Sequence, residues 1–246
     1  MKREASMRPY LRALPLLAAL LAACSSPSPV DEVVASNLTA RGGRARIQAL
    51  HSIRETGTAT ARDGRVARVV REIKRPGLFR LQFSYQGTTS VFAYDGKTGW
   101  QVAPLQGQFE PQAMPSDAEP GVDQRDIEGP LVNWREKGNI VELVGREKLP
   151  GGEAFKLKVT LKGGAVRYDY VDLASRQIVR SDVPRTVRGR AVQLENTFSD
   201  FREVGGLFFP HVIETHVKDR PQVLRIAIEK IELDPDLDDA RFRFPR

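Results

Sequence analysis

Phe155-Lys156-Leu157-Lys158-Val159-Thr160-Leu161-Lys162, closed by Gly163-Gly164, is the stretch that decides the fold class. Successive side chains of a strand point to opposite faces, so Phe155, Leu157, Val159 and Leu161 share one face and Lys156, Lys158, Thr160 and Lys162 the other. One face on a core and one in water is the signature of an antiparallel sheet. Gly163-Gly164 supplies the backbone angles of a tight hairpin and leads into Ala165 to Leu173, where Val166, Tyr168 and Tyr170 share a face. Toward the C-terminus, strand-like runs recur at Gln177 to Val183, Ala191 to Phe201, Phe208 to Lys218 and Val223 to Leu233. In the last run the apolar phase slips from Leu224, Ile226 and Ile228 to Ile231 and Leu233, which predicts a bulge near Glu229 or Lys230. Toward the N-terminus, Ser52 to Ala103 also has period two, with Phe79, Leu81, Phe83 and Tyr85 opposite Arg80, Gln82 and Ser84, and with turns at Asp63-Gly64 and Asp95-Gly96.

Two stretches break the alternation. From Val30 to Ala49, Val33, Val34, Leu38 and Ile47, with Leu50 just beyond, recur at helical spacing interrupted by Gly42-Gly43, which predicts one helix, continuous or broken at the glycines. Between Leu105 and Gly138, Pro111, Pro115, Pro120 and Pro130 interrupt any long element, and short helices are expected around Ile127, Leu131, Val132 and Trp134. So long a segment without strands inside a compact domain is often a functional lid. The expected architecture is mainly β: an incomplete, half-open antiparallel barrel of about eleven strands, with helices covering its concave face.

The composition fits one globular domain with attachments: 246 residues, 41% hydrophobic, 28% charged and a single cysteine, which excludes a disulfide scaffold. Lys2, Arg3, Arg8 and Arg12 precede an apolar run from Leu14 to Ala23, too short to span a bilayer, so residues 1–23 read as an export signal. Leu21-Ala22-Ala23-Cys24 resembles the lipobox of bacterial lipoproteins, which implies that Cys24 becomes the acylated first residue and anchors the chain on a membrane. In such lipoproteins an Asp after the cysteine typically marks retention at the inner membrane. Ser25 stands there instead, so the resemblance implies the outer membrane, with the protein facing the periplasm. The other reading is a buried free cysteine after an ordinary signal. Residues 24–29 form a Ser/Pro tether and residues 30–246 the folded domain. The leader holds +3 of the +7 net charge, and the remaining Lys and Arg are scattered, so no nucleic-acid partner is expected.

Catalytic patterns are scarce. His211 and His216 lie five apart, on opposite faces of a strand, and do not match a zinc motif. Asp234, Asp236 and Asp238 begin like a calcium loop, but Asp239 replaces its turn glycine and Pro245 its bidentate glutamate. No nucleophile elbow, phosphate loop or dinucleotide fingerprint occurs, so neither an enzyme, a cofactor nor a metal site is expected.

Three further segments carry a signal. Ile73-Lys74-Arg75-Pro76-Gly77-Leu78-Phe79-Arg80, then Tyr94-Asp95-Gly96-Lys97-Thr98-Gly99-Trp100, and finally Leu237-Asp238-Asp239-Ala240-Arg241-Phe242-Arg243-Phe244-Pro245, resemble in order the K-R-P-x-x-F, D-G-K-x-x-W and D-x-x-x-F-x-F-x-P segments of the LolA/LolB lipoprotein-localisation carriers. The resemblance implies an apolar cavity for acyl chains and a ligand that is an acylated lipoprotein or a lipid. It also gives Arg75 the position of the residue that ties barrel to lid, although Arg75 equally reads as a charge before the turn at Pro76. The cavity candidates are Phe79, Leu81, Phe83, Phe92, Tyr94, Trp100, Trp134, Tyr168 and Tyr170, with Phe198 and Phe209 beside them. Aromatic residues on the inner face of any sheet also build solid cores, which leaves a second reading: a solid-cored envelope lipoprotein that acts as a scaffold. The Cys24 anchor departs from the soluble carriers and favours the membrane-bound acceptor type or another of the bacterial lipoproteins that share this architecture.

Overall fold

The computed structural model describes residues 28–115, 119–187, 190–220 and 223–245; the leader and Cys24 lie outside them. Helix α1 (Pro29–Ala40) and helix α2 (Arg44–Ala49) precede six strands, β1 (Ser52–Thr60), β2 (Val66–Lys74), β3 (Leu78–Tyr85), β4 (Thr88–Tyr94), β5 (Gly99–Ala103) and β6 (Gln108–Ala113). A four-residue helix α3 (Val122–Arg125) follows, and then seven more strands: β7 (Ile140–Leu149), β8 (Gly152–Thr160), β9 (Val166–Asp172), β10 (Ile178–Val187), β11 (Arg190–Val204), β12 (Leu207–Val217) and β13 (Val223–Leu233). All thirteen strands form one antiparallel sheet in the order β6-β5-β4-β3-β2-β1-β13-β12-β11-β10-β9-β8-β7. The sheet is open. It consists of two meanders joined where β1 pairs with β13.

The strand count exceeds the expected eleven partly because β6 falls in the segment expected to hold only short helices. Pro111 cannot donate to a ladder, and it is tolerated here because β6 is an edge strand. The expected bulge is present: β13 slips against β1 between Thr56 and Gly57, leaving Glu229 without a partner. A Cβ on Gly57 would lie 2.0 Å from the Ala227 carbonyl oxygen, so the bulge requires glycine there.

The helical region splits in two because Gly42, at φ +108°, passes so close to Gly206 that a Cβ would lie 2.1 Å from its carbonyl oxygen. Helix α1 starts inside the stretch expected to be tether, since the Ser28 hydroxyl accepts from the Asp31 N–H and donates to its carboxylate.

Strands β3 and β4 near one end of the sheet and β7 and β8 at the other contribute to one core with the helices: Phe79, Tyr94, Val141, Leu157 and Val159 pack with Val33, Val34, Leu38 and Ile47. In a flat sheet, strands so far apart in the order would be separated by roughly 40 Å at about 4.8 Å per strand, so the sheet wraps around the helices. Leu131 and Val132, from the stretch after α3, are fully buried in the same core.

Candidate functional site

The turn at Asp63-Gly64 sets the register of β1 and β2, pairing Ile53 with Ile73, Glu55 with Arg71 and Gly57 with Val69. Ile53 and Ile73 belong to the core, so their whole register row faces inward. On the inner face the row continues through Phe79, Leu81 and Phe83 of β3 to Tyr94, Phe92 and Ser90 of β4. In the other direction it reaches Ile231, Ile228 and Ile226 of β13 and Ile213 of β12.

A cleft of about 240 Å³ opens on this face beneath residues 124–130, between Ile53 and Ile73 on one side and Ile178, Phe198, Phe209 and Ile213 on the other. A smaller hollow of about 40 Å³ follows, lined by Val69, Leu81, Ile213, Ile226 and Ile228. Glu55, Arg71 and Ile213 line both. Arg71 donates through Nε and Nη2 to the two carboxylate oxygens of Glu55, at 2.7 and 2.6 Å. Burial pushes the Arg71 guanidinium toward neutrality, and the Glu55 carboxylate more than offsets it.

The cover of the cleft is held by charge. Arg75 donates to the Leu50 carbonyl at the end of α2, at 2.6 Å, and to the Glu128 carboxylate at 2.7 Å. Lys137 approaches the other Glu128 oxygen at 2.9 Å and bonds to Asp126 at 2.6 Å. Burial pushes the Glu128 carboxyl upward, but the hydrogen bonds from Lys137 and Arg75 outweigh it and hold the group below its ordinary range. Arg41 donates to the Glu128 backbone carbonyl. Burial lowers its guanidinium's hold on the proton against the opposing charges of Asp126, Asp169 and Glu128. Arg135 forks onto Asp31 of α1, and with Ser28 it holds that carboxyl down to about 2.

The nine cavity candidates do not converge. Phe79 and Tyr94 face inward but are packed in the covered core, with the Arg125 guanidinium 3.7 Å from the centre of the Tyr94 ring. Leu81, Phe83 and Phe92 face inward and stay half-buried, with Phe83 and Phe92 in an edge-to-face pair. Trp134 packs onto the core from the covering segment.

Trp100, Tyr168 and Tyr170 are on the other face, a correction to the sequence expectation. Trp100 pairs across the ladder with Ala93, not with the inward Tyr94 or Phe92, and its indole N–H donates to the Phe242 carbonyl. Tyr168 and Tyr170 stand opposite Lys158 and Lys156, and the Tyr170 hydroxyl donates to Asp182. The inner face of β9 instead carries Arg167 and Asp169, which bond to each other and to Ser181.

Glu55 and Arg71 were missed. Counting outward from Asp63-Gly64 places them opposite each other on the Ile53–Ile73 face, so the signal was in the chain. His211 is buried with Nδ1 3.2 Å from the Phe209 carbonyl oxygen, and Asp234 accepts from the backbone N–H groups of His51 and Ser52. Among the described residues no cluster of three or more His, Cys, Asp or Glu is placed to hold a metal ion, and no helix is long and apolar enough to cross a membrane.

The wrapped sheet with helices on its inner face recurs in solved structures. A LolA superfamily protein from Nitrosomonas europaea superposes with a TM-score of 0.54 at 14% identity, over 85% of this chain and 96% of its own. The fold is shared with that LolA superfamily protein. A putative outer membrane lipoprotein-sorting protein domain from Vibrio parahaemolyticus matches with a TM-score of 0.54 at 12% identity, over 86% of this chain and 94% of its own. A DUF1329 family protein from Desulfovibrio piger matches with a TM-score of 0.59 at 15% identity, over 88% and 98%. No protein-family model matches the sequence, and no curated protein matches it. Within this LolA-like fold the motif segments meet on the outer face: Lys74 donates to the Leu237 carbonyl and to Asp239, while Leu78 and Phe242 pack with Leu237 in a second small core.

Proposed function

We propose that this chain is a lipid-anchored envelope protein that takes acyl chains of a lipoprotein or other lipid onto the inner face of its sheet and takes part in their transfer or sorting, without covalent chemistry. The observation that carries the reading is the incompletely covered part of that face, where Leu81, Phe83, Phe92, Ile213 and Ile226 remain partly exposed beside a cleft already sealed on one side. Removing apolar area from water supplies roughly 25 cal/mol per Å², which makes such a surface a binding site for hydrocarbon. The name of the Vibrio parahaemolyticus neighbour, a lipoprotein-sorting domain, supports the same reading. Acylation of Cys24, with Ser25 after it, would hold the protein at the outer membrane, facing the periplasm.

The cleft of about 240 Å³ lies below the roughly 300–1,000 Å³ of typical ligand pockets, so a long chain enters only if the segment around Ile127 lifts. Arg75, bonded to Glu128, is the proposed latch on that movement.

The solid core around Leu131, Val132, Leu157 and Val159 favours the other reading, an envelope scaffold without ligand. Native mass spectrometry of the Cys24→Ser chain purified from cells separates the two. Copurified lipid supports the carrier, and its repeated absence the scaffold. The same variant should leave the membrane fraction while remaining folded, and retention in high salt would remove the lipid anchor from the account.

A further inference from the structure

Glu55 and Arg71 are the anomaly of the inner face. Their neighbours in the same rows are Ile53, Ile73, Leu81, Ile228 and Ile231, and a buried ion pair among such residues is weak support for stability, since apolar replacements of similar volume often do as well. The pair lies where the larger cleft meets the smaller hollow, and it lines both. Glu55 uses Nε and Nη2 of Arg71, while Nη1 has no hydrogen-bond partner among the described residues and the side chain keeps about a third of its surface open.

We infer that Arg71 reads the ester carbonyls of a diacylglyceryl group, offering Nη1–H to a carbonyl oxygen while the hydrocarbon lies in the apolar compartments on either side. This rests on the acyl-binding reading above and narrows its ligand. Charge selects the ester. Glu55 neutralises Arg71 and would repel a free carboxylate or a phosphate, whereas an ester carbonyl is a neutral acceptor that pairs with a charged donor at no such cost.

The test is displacement of diphenylhexatriene, a neutral hydrocarbon probe, from the full chain carrying Cys24→Ser. The competitors are a dioleoyl glycerol, an S-(dioleoylglyceryl)cysteine peptide and oleate, at a mildly alkaline pH where oleate is ionised. Methyl oleate, added as a single-chain ester with the same hydrocarbon as oleate, should displace the probe at concentrations about tenfold lower than oleate, the scale of one hydrogen bond to a charged group, and both two-chain diesters at lower concentrations still. The double substitution Glu55→Leu with Arg71→Leu, which leaves no lone buried charge, should abolish the preference, whatever its effect on the affinity for the probe itself. Glu55→Gln, which leaves Arg71 its charge, should shift the preference toward oleate, and it decides the matter alone if the double variant does not fold.

Equal displacement by ester and oleate in the parent chain, a preference that survives either change, or selection of the peptide over the glycerol diester would overturn the assignment. A parent chain that binds no probe would overturn the acyl-binding reading itself, and this inference with it.

Discussion

The inner face of the sheet has two halves of similar composition and opposite condition. Around Phe79, Tyr94, Leu157 and Val159, the helices and the stretch after α3 close over the strands, and these residues are buried to 9% exposure or less. Around Leu81, Phe83, Phe92 and Ile226 the same apolar pattern is only partly covered: Leu81 and Ile226 pack on the edge of the core, and all four side chains stay partly exposed. Glu55 and Arg71 stand between the halves. An apolar row is therefore core or binding surface according to what lies over it, and the row itself is silent on which.

The sharpest way to break this contrast is to cut one side chain from each half. Leu157→Ala should cost about 2–5 kcal/mol in urea unfolding, because it leaves a cavity in close-packed surroundings. Phe83→Ala should cost about 1 kcal/mol or less, since its ring is already partly in water. Equal losses would make the open half ordinary core.

Leu81→Glu reverses the emphasis. The carboxylate can hydrate at the rim of the smaller hollow, so the variant should fold and lose acyl-probe uptake severalfold. A folded variant with undiminished uptake would remove Leu81 from the site. The cover is tested by Arg75→Leu, which deletes bonds to Glu128 and Leu50 worth roughly 1.5–3 kcal/mol if partly buried. Amide exchange from Ile127 to Trp134 should then quicken, by up to about a hundredfold on that scale. Identical protection in the two proteins would reduce Arg75 to a charge beside a turn.

The smallest effect is with pH. Glu128 has a folded-state value below its ordinary 4.5, so its contribution is present in full above that value and is lost as the pH falls through the folded-state value. Exchange in the Ile127–Trp134 stretch should quicken on acidification below 4.5, and this response should be missing in Glu128→Gln. An unchanged acid response in that variant would place the sensitive group elsewhere.

Much of the fold was legible in the chain. Period two in β8, the turns at Asp63-Gly64 and Gly163-Gly164 and the phase slip in β13 all stand where alternation placed them, because a half-buried strand writes its burial into every second residue. Strand β6 was hidden by Pro111, whose meaning depends on being at an edge. The three motif segments pointed to the right fold, yet Trp100 and Phe242 serve a clasp on the outer face. Of the motif residues, Arg75 bonds to Glu128 of the cover and Tyr94 lies under the Arg125 guanidinium.

What the amino-acid order determined by itself is which side chains travel together: Val166 with Tyr168 and Tyr170, Arg167 with Asp169, Glu55 with Ile53. Which of two such sets faces inward was decided only by the tertiary structure. Tyr168 and Tyr170 lie outward opposite Lys158 and Lys156 of β8, where the Lys156 ammonium lies over both rings. Arg167 and Asp169 face inward with the Arg167 guanidinium and the Ser181 hydroxyl of β10 both bonded to Asp169 Oδ1, while Oδ2 stays buried without a hydrogen-bond partner among the described residues. Alternation is a local property with period two and carries no sign. The sign comes from pairing with strands distant in sequence, and from the few residues after α3 that close over one half of the face and leave the other open.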